Sequence, residues 1–250
     1  MILLIAHHHD REAQRLVTAI AGEGRKALLL LPEALGVDYG VSLRINLPSV
    51  IFRITPYEQG EPITAPAVSL LINRISWSDP VVWDQAVKKE KEYVASELNA
   101  FFAAFIYAFS CPVINPIEHG CVYSTNLSAS LTTAFAAKGI FLNRGRWDIE
   151  GEAADIITRC YRLLFFAGEC FIPLSQQIDE AFHPANLPFS LREGYPLIEL
   201  FLFRNKNGIQ IVHFHRAPDL SLYPSPVLTR IIKMSASHDL DHRNPQRIAG

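Results

Sequence analysis

The opening stretch of this chain permits few folds. Residues 2–6 form a short continuous apolar run, the pattern of a strand buried on both faces. Asp10 is placed to cap the next segment, in which Ala13, Leu16, Val17 and Ile20 recur at helical spacing. Gly22 and Gly24 end that helix, and residues 27–31 form a second buried strand stopped by Pro32. A strand, a helix and a strand of this kind make a parallel pair with a right-handed crossover. The expected class is therefore α/β. The 250 residues suffice for one large domain or two small ones, and 49% apolar content supplies a sizeable core.

Further along, short strand-like pieces at 41–43, 49–52 and 69–72 are separated by Pro48, Pro56, Gly60, Pro62 and Pro66. They read as hairpins or edge strands leading to a third parallel strand that ends near Arg74. Residues 84–110 carry a strong helical signal, with Val87, Val94, Leu98, Phe101, Phe102, Phe105, Ile106 and Phe109 on one broad face. A brief strand follows over 111–116. A second part starts near Ile117, with a helix over 127–138, a helical turn over 152–157 and a strand over 159–166. The runs 198–203 and 209–215, joined by a polar turn ending in Gly208, form a hairpin. Residues 227–234 read as a closing helix or strand, and the stretch from Ser235 as a polar, mobile tail. The expected division is 1–116, 117–234 and a tail over 235–250.

The formal charge of −2 gives no electrostatic case for a nucleic-acid partner. Lys88, Lys89 and Lys91 alternate with Glu90 and Glu92 as a solvated helix face does. Residues 1–6 lack the basic region and length of a secretory signal, and no apolar run reaches the ~20 residues of a membrane span. A cytoplasmic location, with no membrane partner and with reduced thiols at Cys111, Cys121, Cys160 and Cys170, is expected.

Histidine marks the candidate sites. His7, His8 and His9 follow the first strand, where open α/β sheets place their ligand crevice. With Asp10 they are candidates for an anionic ligand or a metal. The plainer reading is a helix cap beside a wet loop. Arg74 ends another strand at the same edge and suits a carboxylate or phosphate, or else a surface ion pair with Asp79 or Glu97. His213 and His215 are one residue apart on a strand, so their side chains share a face. They hold a metal if Asp219 or Glu199 adds a third ligand, and otherwise form a solvent-facing pair. His238 and His242 are spaced for a metal but fall in the expected tail. Residues 124–130 offer hydroxyls without an identifiable base.

Four stretches together resemble the ATP-grasp superfamily, especially ligases that modify ribosomal protein tails and cyanobacterial peptides. They are residues 1–10; the set Leu71-Ile72-Asn73-Arg74, Tyr93 to Glu97 and Val113-Ile114-Asn115-Pro116; Tyr161 to Glu169, with Arg162 and Gly168; and Asn207-Gly208 through Pro218. The resemblance implies a parallel-sheet, pre-ATP-grasp-like N-terminal domain followed by a reduced α+β ATP-grasp-like remnant. The candidate ligand-binding residues are His7, His9, Asp10, Arg74, Asn115 and Glu199. The chain departs from that family where magnesium would sit. His213 and His215 stand in the places of an acid and an amide, and imidazole suits transition metals better than magnesium. Lys138 is the only lysine between Lys91 and Lys206, where the family uses two for ATP phosphates. The stretch between Gly139 and Arg159 is short for a nucleotide lid.

The expectation is a degenerate, shortened relative that lacks ligase chemistry and needs no cofactor. It would bind a peptide or small acidic metabolite, or pair with a protein partner in a biosynthetic pathway, with self-association open. Two alternatives remain. One is an active ATP- and magnesium-dependent carboxylate–amine ligase with a minimal lid. The other is a histidine-based protein or enzyme that binds a transition metal.

Overall fold

A computed structural model describes residues 1–35, 38–46, 49–58, 60–75, 88–116, 140–142, 160–166, 169–177, 197–205, 208–215, 217–224 and 226–242. The expected helices at 127–138 and 152–157, and Lys138, Asp79 and residues 124–130, lie outside them. The chain divides into two compact units, Met1–Ser124 with Leu228–Gly250, and Thr125–Val227.

The first unit opens with β1 (Ile2–Ile5), α1 (Arg11–Gly22) and β2 (Ala27–Leu30). The Asp10 carboxylate accepts from the Ala13 N–H at 3.0 Å and so caps α1. The chain leaves α1 through Gly24 at φ 74°, a conformation open to glycine. An antiparallel ribbon follows, β3 (Tyr39–Asn46), β4 (Ser49–Pro56) and β5 (Ile63–Thr64). Next come β6 (Leu70–Asn73), α2 (Lys88–Tyr107) and β7 (Val113–Ile114). The sheet β2-β1-β6-β7 is parallel throughout. All four residues of β1 and of β6 are buried, as continuous apolar strands inside such a sheet should be.

The phenylalanines of α2 and its exit build the core of this unit. Phe105 meets Phe52 edge to face at 4.2 Å between ring centres, and Phe109 lies 5.0 Å from Phe105. Phe102, Phe105 and Phe109 are all buried with Leu3, Ile5 and Leu71. Core packing accounts for these buried rings.

The second unit holds β8 (Ile140–Leu142), β9 (Tyr161–Phe166), β10 (Glu169–Phe171), β11 (Leu197–Asn205) and β12 (Gly208–His215) in the order β10-β9-β11-β12-β8. The β11–β12 hairpin is antiparallel and β8 joins β12 in parallel. Leu163, Phe165, Ile198, Leu200, Leu202 and Ile211 form the core on one face.

The last helix, α3 (Pro226–His242), runs past Ser235 into the stretch expected to be a tail. Its reason is a buried stripe at four-residue steps, Val227, Ile231 and Ser235. The Ser235 hydroxyl accepts from Arg25 Nη2 at 3.1 Å and donates to the Ile232 carbonyl at 2.8 Å, which satisfies a polar group at a core position. No described helix is long and apolar enough to cross a membrane.

Candidate functional site

In the first unit the carboxyl ends of the parallel strands carry a polar cluster. His7 follows β1 with only Ala6 between them and is 4% exposed. Its Nδ1 lies 2.7 Å from Glu33 Oε1, and His8 Nδ1 lies 3.3 Å from the same oxygen. The His9 ring stacks on His7 with centres 5.4 Å apart. Burial alone would push the Glu33 carboxyl up. Hydrogen bonds from its own backbone and from His7, the His7 charge and a bond from His8 outweigh this and hold it below the usual glutamate value. Glu33 engages His7 and His8 and was not a sequence candidate. Its only local signal is an acid just after the proline that ends β2.

Arg74 and Asp10, two separate candidates by sequence, pair with each other. Arg74 Nε donates to Asp10 Oδ2 at 2.9 Å and Nη2 donates to Oδ1 at 3.1 Å. The guanidinium is buried, so this is a buried fork with an acid that the sequence reading had not paired with it. Parallel register causes it, because the Arg74 N–H bonds the Ile5 carbonyl at 2.9 Å and sets both residues at one sheet edge. Asn115 clamps Asn73: each side-chain amide donates to the other residue's carbonyl, at 3.2 and 3.3 Å. The Asn73 side-chain oxygen accepts from the Ile75 N–H. Asn115 adopts φ 59°, which asparagine tolerates better than most residues.

In the second unit the antiparallel register places Glu199 opposite His215, Phe201 opposite His213, and Arg162 opposite Phe201. These five residues therefore share the face opposite Leu163, Phe165 and Leu200, together with the buried Leu164, Phe166 and Leu197. A bulge lies between Phe201 and Leu202, a device that re-aims side chains locally. Glu199 is fully buried. Its Oε1 accepts from Arg162 Nε at 2.9 Å and from the Tyr223 hydroxyl at 2.5 Å, with Arg162 Nη2 at 2.7 Å. Its Oε2 is buried without a hydrogen-bond partner. Arg162 also lies over the Phe201 ring, 5.1 Å from its centre. Burial, then the bond to Glu199 and its charge, push the Tyr223 phenol far above its usual value, so it stays a donor. His213 is exposed along one side and lies 5.3 Å from the Phe201 ring. Desolvation holds its imidazole below the usual value, against the upward pull of Glu199.

Tyr223 was missed by sequence reasoning, and Arg162 entered only through the family resemblance. Tyr223 follows a short turn that Asp219 caps by accepting from the Ser221 N–H at 3.0 Å. This gives Asp219 a local task besides the metal role considered for it. Among the described residues no three of His, Cys, Asp and Glu gather where they would hold a metal ion. Burial pushes the Cys111 and Cys160 thiols up to about 11 and Cys170 up to about 12, so all three are protonated near neutral pH.

The described donor set does not fit a pair of magnesium ions. Magnesium takes hard oxygens, and here two imidazoles, a phenylalanine and one carboxylate already engaged by Arg162 and Tyr223 share the face. No phosphoryl-transfer step follows from these residues.

No protein-family model matches the sequence, and no curated protein matches it. Solved structures do match the fold. The macrocyclase MdnC of Microcystis aeruginosa MRC, bound with its precursor peptide MdnA, aligns with a TM-score of 0.63 at 13% identity, over 94% of this chain and 99% of that one. The macrocyclase MdnB of the same organism gives 0.60 at 12% identity, over 96% and 98%. A RiPP-associated ATP-grasp ligase of Chryseobacterium gregarium, in complex with ADP and a leader and core peptide, gives 0.58 at 11% identity, over 96% of each chain. The chain has the fold of ATP-grasp ligases.

Proposed function

We propose that this protein uses an ATP-grasp fold for recognition, having lost the ligase chemistry of that fold. On this reading it binds a peptide or a small acidic metabolite in a biosynthetic pathway, alone or beside an active ligase, and needs no nucleotide. The observation that carries the reading is the face of the β11–β12 hairpin. Imidazoles occupy the positions where the family resemblance puts magnesium ligands, and Arg162 is neutralised by Glu199 at 2.7 Å. Phosphoryl transfer depends on metal and cation charge placed around the phosphates. An arginine already paired with a buried carboxylate contributes little of that charge. A peptide as ligand is supported by the fold neighbours solved with precursor peptides.

The second reading is an active carboxylate–amine ligase with a minimal lid. The match along 94% of this chain and 99% of a macrocyclase favours it. Calorimetric titration of the purified, untagged protein with ATP and magnesium separates the two, after elemental analysis for bound metal. No saturable heat is expected. Saturable binding at micromolar concentration overturns the first reading and establishes the second. A stoichiometric transition metal lost in His213→Ala would point instead to the histidine-based alternative.

A further inference from the structure

The first unit contains a cleft that neither polar cluster uses. It measures about 500 Å³, and its walls include Lys26, just before β2, Leu28 on β2, Tyr39, Pro56, Glu61 and Ile63. That volume lies within the roughly 300–1,000 Å³ typical of ligand sites. Leu28 and Ile63 supply an apolar floor. Lys26 and Glu61 are both exposed, and neither forms a salt bridge among the described residues.

Among the described residues, the β2 wall has an unused hydrogen-bonding edge. Among the described strands β2 is outermost in its sheet. The Lys26 and Leu30 carbonyls face β1, accepting from Ile2 and Ala6 N–H at 2.9 and 3.2 Å. Alternation then turns the N–H and C=O groups of Ala27 and Leu29 outward. An outward edge of this kind is a template for another strand. Lys26 and Leu28, two residues apart, present their side chains on the same face of it.

We propose that this cleft binds an extended peptide that adds a strand to β2. Its backbone pairs with Ala27 and Leu29, an apolar side chain sits on Leu28 and Ile63, an acidic side chain meets Lys26, and a basic one meets Glu61. A chain of alternating side chains matches all three features together: unpaired backbone groups at strand spacing, an apolar floor and walls of opposite charge. The inference rests on the peptide-binding reading above and gives it a place.

The test uses the full-length protein and a labelled, capped eight-residue peptide. It alternates valine with polar residues and carries aspartate near one end and arginine near the other. A control peptide has N-methylated alternate amides. Saturable binding by anisotropy is expected, lost with the N-methylated control and weakened about tenfold by Lys26→Glu. Replacing the aspartate with lysine in the peptide should restore binding to that variant. Amide exchange at Ala27 and Leu29 should slow on binding. Binding that ignores Lys26→Glu and leaves those amides unprotected overturns this site and leaves peptide recognition standing. No binding of either charge order overturns the site. The ATP titration is read separately, so a protein that binds both ATP and the probe at β2 loses the first reading and keeps this one.

Discussion

The two units satisfy their polar groups in different ways. In the first unit Arg74 forks onto Asp10 and Asn73 exchanges amide bonds with Asn115, so each of these groups meets a complementary one. In the second unit three donor atoms crowd onto one oxygen of Glu199 while the other has no partner, and His213 stands exposed nearby. Glu33 in the first unit repeats the uneven pattern, with His7 and His8 on Oε1 and a buried Oε2 without a partner. A reciprocal pair holds a scaffold in shape, whereas an unevenly satisfied carboxylate keeps bonding capacity in reserve. The Arg74–Asp10 fork therefore reads as architecture, and the carboxylates of Glu199 and Glu33 as groups with capacity left to use.

The largest test of this contrast is Arg74→Ala. It strands the Asp10 carboxylate beside the core and should cost about 3 kcal/mol in chemical denaturation. Asp10→Asn retains a helix cap, so it should cost less. If Arg74→Ala is nearly neutral, the fork is no scaffold and the contrast between the units fails.

Tyr223→Phe comes next. It removes one donor to a charged acceptor that Arg162 still engages, for a loss of about 1.5 kcal/mol. A loss equal to that of Arg74→Ala would make the second face as structural as the first and erase the contrast.

Acid sensitivity offers a smaller effect. Glu33 is held below its ordinary value in the folded state. The unfolded state therefore takes up the proton first as pH falls. The stabilisation is present above the unfolded value and is lost as pH drops through the folded one. Glu33→Gln should flatten that part of the acid limb, with a loss at neutral pH under about 1 kcal/mol. An unchanged acid limb would show that the His7 contact does not bias Glu33.

The smallest effect sharpens the second cluster. Glu199 pulls the His213 imidazole upward against desolvation. Glu199→Gln should move His213 further below the usual histidine value in an NMR titration. A rise or no change would mean that the two groups do not communicate across the hairpin.

Much of the scaffold was legible in the chain. The runs at 2–6 and 27–31 became β1 and β2, and the stretch at 69–72 became β6, parallel to β1. The hairpin ending at His215 formed as its polar turn and β-rich flanks required. The reach of α3 was not foreseen, because its last buried position is a serine satisfied by Arg25, distant in sequence. The site was legible as a set of residues and illegible as a set of partners. Asp10 and Arg74 were each singled out, yet their pairing across 64 residues was not. Glu33 and Tyr223 carry no periodicity or motif that marks them.

Sequence by itself determined which residues form strands and which faces they share, because a strand's two-residue period and a helix's 3.6 are properties of the local backbone. Only the tertiary structure decided which charges are spent. Electrostatic pairing depends on distance through space and on burial, and both follow from strand register and packing between segments far apart in the chain. That is why Arg74 is paired with Asp10, why Arg162 is held by Glu199, and why β2 lies outermost among the described strands.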